Sequence, residues 1–216
     1  MNLLIIGAPG VGKGTMSRYL VAHRKLVHVS TGDMLRQAIE EQSSVGKLAQ
    51  SYMDNGQLVP DRIIHTIITE RLSKNDIKRG FLFDGYPRNV SQAEDLDIIL
   101  QDLNMKIDAV LNLQIGEDVL VKRITGRRTC PTCGAIYNIY YNPPKVGEVC
   151  DNCGDTLTTR KDDNIDSLKN RLSEFEKNTT PVIDYYSQRG LVYNFNADQD
   201  RESVFNDIQK VLEGLK

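Results

Sequence analysis

Gly7-Ala8-Pro9-Gly10-Val11-Gly12-Lys13-Gly14-Thr15 is the stretch that decides the fold of this chain. The apolar run Leu3-Leu4-Ile5-Ile6 precedes it, and a segment that reads as a helix to about Arg24 follows. Strand, glycine-rich turn and helix together are the context that a phosphate-binding loop requires. Glycines let successive backbone N–H groups converge on an anion, and a helix starting at Lys13 adds the positive end of its dipole. Lys13 can reach terminal phosphates as a point charge. The general pattern is G-x-x-x-x-G-K-S/T. Here Gly14 stands where the hydroxyl residue belongs, and Thr15 follows one place later.

Working outward, the chain alternates strands and helices. Val27-His28-Val29 reads as a second strand, and Ser30 or Thr31 can cap a helix through Met34, Leu35 and Ile39. A further helix ends near Asn55-Gly56, and Pro60 and Asp61 open another through Ile63, Ile64, Ile67, Ile68 and Leu72. Phe81-Leu82-Phe83 is a buried strand that runs into Asp84-Gly85-Tyr86-Pro87-Arg88. Ser91-x-x-Glu94 has the form of a capping box opening a helix to about Leu103. Ile107 to Leu113 reads as a strand, Asp118 to Thr125 as a helix, and Asn164 to Arg189 as one long helix. Leu191 to Phe195 is a last strand, and Arg201 begins a terminal helix. This order predicts an α/β fold with a parallel sheet flanked by helices.

Composition narrows the function. At 216 residues the chain exceeds the ~150 of an average domain, so one large domain or a core with insertions fits. It is 40% hydrophobic and 26% charged, an ordinary globular mix. A net charge of -2 gives no whole-molecule attraction for nucleic acid or anionic membrane. No apolar run approaches the ~18 residues of a membrane span, and the first residues pass directly into a strand. The expectation is a soluble, cytoplasmic protein.

Between about 127 and 163 the texture changes to cysteines, prolines, glycines and tyrosines without helical periodicity. All four cysteines lie here, in Cys130-x-x-Cys133-Gly134 and Cys150-x-x-Cys153-Gly154, with 16 residues between the pairs. Two such turns fit a tetrahedral four-thiolate zinc site; a redox dithiol or an iron site are the other readings. Four thiolates leave no open coordination position, so the metal would be structural. Zinc ribbons also serve as nucleic-acid or partner modules, which would make this a nucleotide-switched binding protein. However, Arg127, Arg128, Lys145, Arg160 and Lys161 are balanced by Glu148, Asp151, Asp155, Asp162 and Asp163. A near-neutral insert lacks the basic patch of a phosphate-backbone reader. A metal staple for a segment with little core is the plainer account.

Other charged residues fall where they could border one crevice. Arg36 lies on the helix after Thr31, and Arg88 follows a strand end, which in a parallel sheet faces the ligand. Arg123, Arg127 and Arg128 flank the start of the insert, Arg160 marks its end, and Arg171 lies on the long helix. Asp84 has the position of a Walker-B-type acid that holds Mg²⁺, often through water, or of a turn-forming Asp before Gly85. His23, His28 and His65 show no ligand spacing and read as structural or solvated.

Taken in order, the loop Gly7 to Thr15, Ser30-Thr31-Gly32-Asp33-Met34-Leu35-Arg36, Gly80 to Arg88 and the four-cysteine insert closely resemble the adenylate kinase family, in its long-lid bacterial form with a zinc-bearing lid. The resemblance covers the whole chain, and a glycine after the lysine belongs to that family's loop. The family's fourth zinc position can be Cys or Asp; here it is Cys153. The resemblance implies a P-loop NTPase-type core (1–29, 60–125 and 164–216) with two mobile inserts, a nucleoside monophosphate-binding segment at 30–59 and a zinc-ribbon-like lid at 126–163. It implies the Mg²⁺-dependent reaction ATP + AMP = 2 ADP, carried out by a monomer. ATP phosphates would lie on Gly10, Val11, Gly12, Lys13, Gly14 and Thr15, with Arg123 and Arg127; Ile136, Tyr137 and Gln199 would lie on the ATP side. AMP would meet Thr31, Arg36, Gln57, Leu58, Val59, Gly85, Tyr86, Pro87, Arg88 and Gln92, with Arg160 and Arg171 closing on phosphate. Gln92 could pair its amide with the adenine edge. Lys13, Arg88, Arg123, Arg160 and Arg171 form the implied catalytic set.

Overall fold

The computed structural model describes residues 1–215. Strands β1 (Asn2–Gly7), β2 (Val27–Ser30), β3 (Phe81–Asp84), β4 (Ala109–Gln114) and β7 (Val192–Asn196) form one parallel sheet in the order β2-β3-β1-β4-β7. β1 pairs with β3 from Asn2 opposite Phe81, and with β4 from Leu3 opposite Ala109. Parallel strands need long crossovers, so helices cover both faces, and the central strands β1, β3 and β4 are largely apolar and buried. Side chains alternate across the sheet. Leu4 and Ile6 point with Phe81 and Phe83 into one core, while Leu3 and Ile5 point with Leu82 and Leu111 into the other. No helix among residues 1–215 is long and apolar enough to cross a membrane.

Helix α1 (Lys13–Arg24) starts at the lysine of the glycine-rich turn and packs in the second core through Met16 and Leu20. Helices α2 (Thr31–Glu40) and α3 (Ser44–Asp54) lie tightly together beyond β2. Ser30 is the cap of α2, its hydroxyl accepting from the Asp33 N–H at 3.2 Å, whereas buried Thr31 donates to the Gly85 carbonyl at 2.8 Å. Helices α4 (Asp61–Leu72), α5 (Val90–Asp102), α6 (Glu117–Thr125) and α9 (Arg201–Gly214) complete the two outer layers.

Two local expectations are corrected. The box Ser91-x-x-Glu94 does not open α5. Asn89 caps it, accepting from the Gln92 N–H at 2.8 Å, and the helix begins at Val90. Asn is as good a cap as Ser, and its position two residues earlier wins. The long helix is also not continuous. It runs as α7 (Ile165–Glu174), a π turn over Phe175–Thr179, and α8 (Thr180–Ser187). Pro181 has no N–H to donate, and its ring crowds the carbonyl four residues back, so the winding widens just before it.

Residues 127–163 fold by themselves around β5 (Arg127–Thr129) and β6 (Ile136–Asn138), an antiparallel pair. Their core is five residues, Cys130, Ala135, Tyr137, Cys150 and Leu157. So small a cluster contributes little burial.

The α2–α3 contact is made possible by Gly46. A Cβ there would lie 2.0 Å from the Ala38 carbonyl oxygen. Gly46→Ala should therefore force the helices apart and destabilise the protein by about 1–3 kcal/mol. The urea unfolding midpoint measures this, and an unchanged midpoint would show that the contact yields freely.

Candidate active site

The carboxyl ends of the parallel strands open onto one cavity of about 770 Å³. This is where an open α/β sheet receives ligands. The glycine-rich turn forms the floor. Gly10 and Gly12 have φ of +89° and +110°, and a Cβ on Gly10 would come within 2.9 Å of Ile124. Only glycine meets both demands without strain. Lys13 Nζ donates to the carbonyls of Gly7 and Ala8 at 2.6 and 3.1 Å. Val11, Gly14 and Thr15 line the floor beside it.

Arg123, on α6, bridges the turn to the loop after β7. It donates to the Val11 carbonyl at 2.7 Å and to the Ala197 carbonyl at 2.9 Å. Its guanidinium lies 5.9 Å from the Tyr141 ring centroid. Gln199 lines the same rim, and Ile136 and Tyr137 come down from β6. A Cβ on Gly14 would be 3.8 Å from Ile136 Cδ1, so the insert lies directly over the floor. Asp84, at the end of β3, accepts from the Ser17 hydroxyl at 3.3 Å.

Gly85, Tyr86, Pro87 and Arg88 carry the lining onward from β3. Arg36 reaches the cavity from α2 and pairs with Asp33 at 2.5 Å. Arg171, on α7, donates to Asp162 at 2.8 Å. Arg127 makes a two-pronged pair with the buried carboxylate of Asp163, through Nε at 2.8 Å and through Nη2. Arg160 also lines the wall. Thr31, Gln57, Val59 and Gln92 sit in a small side pocket that shares Leu58, Gly85, Arg88 and Arg171 with the main cavity. The amide of Gln92 is engaged at both ends: Oε1 accepts from the Arg88 N–H at 2.8 Å, and Nε2 donates to Asp61 at 2.6 Å. It is buried.

The cations are crowded, and their proton affinities record it. Desolvation brings the Lys13 ammonium down to about 8, with Arg171, Arg88 and Arg127 adding to the effect against Asp84. Desolvation and then Arg171 lower the Arg88 guanidinium to about 10. Desolvation, Arg36 and Arg127 do the same to Arg160, also to about 10. Positive groups that disfavour one another's charge form a site prepared for a polyanion.

In the insert the four sulfurs lie within 4.8 Å of one another, with Cys130–Cys153 at 3.4 Å and Cys133–Cys150 at 3.5 Å. Tetrahedral Zn–S bonds of ~2.3 Å place sulfurs about 3.8 Å apart, so the cluster fits zinc. Burial raises the Cys150 thiol, but hydrogen bonds from the Tyr137 hydroxyl and the backbone of Cys153 and Asn152 outweigh it and bring it to about 6. That arrangement favours a thiolate at Cys150, whereas hydrogen bonds among the neighbouring sulfurs push the Cys133 and Cys153 thiols up.

Several residues in or beside the cavity escape the sequence reading. Asp162 and Asp163 count there only as charges that neutralise the insert; here they hold Arg171 and Arg127. His28 lines the cavity, with Nε2 buried and 3.7 Å from Asp84 Oδ2. His23 stacks edge-on against Phe205, and His65 is half exposed. Thr179, from the π turn, also reaches the cavity, and Pro181 two residues later was its only mark.

A model of the family described as adenylate kinase matches residues 5–191. The chain is 46% identical over 214 residues to an adenylate kinase of Caldanaerobacter subterraneus subsp. tengcongensis, covering 99% of this chain and 97% of that one. It is 47% identical over 216 residues to one of Geobacillus sp. strain WCH70, covering all of both chains. A third, from Listeria innocua, is 47% identical over 212 residues, 98% of this chain and 99% of the other.

The chain belongs to the adenylate kinase family. It is a nucleotide-binding transferase with the P-loop fold that the glycine-rich turn predicted. In an adenylate kinase with this cavity, the lowered Lys13 ammonium has a measurable consequence. At pH 9 an empty-site lysine titrating near 8 is mostly neutral, whereas phosphate oxygens favour its charged form. Binding of ATP at pH 9 should therefore take up close to one proton, and at pH 7 almost none. Calorimetry in buffers of different ionisation enthalpy reads the uptake. Equal values at the two pH values would remove Lys13 from contact with the anion.

Proposed function

We propose that this enzyme transfers the γ-phosphoryl group of ATP to AMP, reversibly giving two molecules of ADP. The observation that carries this reading is the convergence on one cavity of Lys13, Arg36, Arg88, Arg123, Arg127, Arg160 and Arg171. ATP and AMP together bring four phosphates into one space, and fixed cations are what such a meeting requires.

In this proposal the floor from Gly10 to Thr15 receives the ATP phosphates, aided by Arg123 and Arg127. Ile136 and Tyr137 lie against the ATP side, and the backbone around Gln199 lies near the ATP base. Thr31, Arg36, the stretch Gln57 to Val59, and Gly85 to Arg88 receive AMP, and Gln92 offers its amide to adenine in exchange for a present partner. Arg88, Arg160 and Arg171 sit between the two phosphate groups. The acceptor is already an anionic oxygen, so no general base is needed; catalysis is positioning and charge stabilisation of an in-line transfer. The carboxylates of Asp33, Asp162 and Asp163 hold arginines in place until phosphate oxygens replace them as partners.

Asp84, with Ser17 beside it, has the oxygen chemistry to hold Mg²⁺ through water, and the ion would neutralise phosphate charge during transfer. Cys130, Cys133, Cys150 and Cys153 would hold one structural Zn²⁺ that keeps the lid rigid. Residues 30–59 and 126–163 are proposed to move over the nucleotides and exclude water, which would otherwise hydrolyse ATP. We read the protein as a cytoplasmic monomer.

The deciding experiment measures ADP formation from Mg·ATP with AMP, GMP, CMP and UMP as acceptors. AMP should give the highest kcat/KM, and a better acceptor among the other three would overturn the substrate assignment. For the lid, metal analysis should find one zinc per chain. Cys153→Ser should lower Tm by several degrees while activity at low temperature survives. Loss of all activity with the fold intact would refute a purely structural metal.

A further inference from the structure

The π turn at Phe175–Thr179 breaks the regular winding of the helix that follows the lid. Such turns cluster at functional sites, and this one borders the cavity through Phe175 and Thr179. At 3.6 residues per turn, positions eight apart on an α-helix are offset by about 80°. The wider turn, in which the Thr180 N–H donates to the Phe175 carbonyl five residues back, takes up that offset. Arg171 and Thr179 therefore face the same cavity although eight residues separate them.

Thr179 is buried, and its hydroxyl donates to the backbone carbonyl of Arg88 at 2.8 Å. A threonine inside a helix ordinarily bonds a carbonyl of its own preceding turn. This one bonds a residue 91 positions away in the chain. Arg88 is tied at two further points. Its backbone N–H donates to Gln92 Oε1 at 2.8 Å, and its Nε donates to the Gly85 carbonyl at 2.8 Å. The loop that carries Arg88 is therefore held from α5 on one side and from the π turn on the other.

We infer that Thr179 is a positioning residue for Arg88, and that the π turn exists in this fold to deliver its hydroxyl there. One helical element then sets two cations of the cavity: Arg171 directly, and Arg88 through the Thr179 bond. Their separation is fixed by the geometry of that element rather than by the flexible loop after β3. Displacement of a guanidinium by even a fraction of an ångström weakens transition-state contacts more than it weakens binding at a distance. This inference rests on the phosphotransfer reading above.

Steady-state kinetics of Thr179→Val and Thr179→Ser provide the test. Valine keeps the volume and removes the donor, leaving a buried carbonyl unpaired. Thr179→Val should lower kcat about tenfold and raise the KM for AMP, with the KM for ATP within twofold of wild type. Thr179→Ser should keep kcat within about twofold. In an Arg88→Lys background, adding Thr179→Val should cost less than twofold, because the group it positions has already been replaced. If the valine variant is too unstable to assay, Thr179→Ala removes the same hydroxyl and is read identically. Wild-type rates in the valine variant, equal increases of both KM values, or the same tenfold loss in the Arg88→Lys background would each overturn the inference. Those results with an active wild type leave the phosphotransfer reading standing; a wild type that forms no ADP overturns both.

Discussion

Positive charges gathered around one cavity repel one another, and this structure has to hold Lys13 against Arg88, Arg127 and Arg171 before any anion arrives. Each is restrained by its own partners. Lys13 is folded onto the carbonyls of Gly7 and Ala8, and Arg123 onto those of Val11 and Ala197. Arg36, Arg127 and Arg171 each have a carboxylate, Asp33, Asp163 and Asp162. Arg88 is held through its own backbone and the Gly85 carbonyl. Pre-placed charges lose little reorganisation energy when a phosphoryl group passes between them, which is the main source of electrostatic catalysis.

The surrounding architecture follows from that requirement. A parallel sheet brings the ends of β1, β2, β3 and β4 to one edge, so the phosphate loop, His28, Asp84 and the Arg88 loop lie together. The apolar interior of the strands makes that edge rigid. The helix after the lid crosses it and adds Arg171 and Thr179. The insert is poor in core: its apolar cluster has five residues, two of them cysteines, and the four sulfurs lie close together beside it. Stability and chemistry are thus separated: the sheet supplies the first, and the segments over its edge supply the second.

Much was legible from the residues in order. The P-loop, the alternation of strands and helices, the four-cysteine insert and the positions of the arginines all depend on local spacing, and a chain displays spacing directly. The errors were also local in origin. Ser91-x-x-Glu94 satisfies the same capping pattern as the true start, and only the placement of Asn89 against Gln92 selects between them. The periodicity over 164–189 continues through Pro181, and only that proline's missing N–H hints locally at the π turn.

By itself, the sequence determined that a phosphate-binding strand, turn and helix open the chain, that the sheet is parallel and that two paired cysteine turns close a small insert. Each of these follows from residue type at short separation, through backbone conformation and side-chain periodicity. Only the tertiary structure decided which partner each charged group has. Asp162 and Asp163 look like neutralising surface charge until they are found against Arg171 and Arg127. Gln92 reads as a partner for adenine, but its present hydrogen-bond partners, Asp61 and the Arg88 backbone, are visible only in the fold. Thr179 looks like an ordinary helix residue until its hydroxyl is found on Arg88, 91 positions away. Pairings between groups so distant in the chain are set by the packing of whole elements, and no short stretch contains that information.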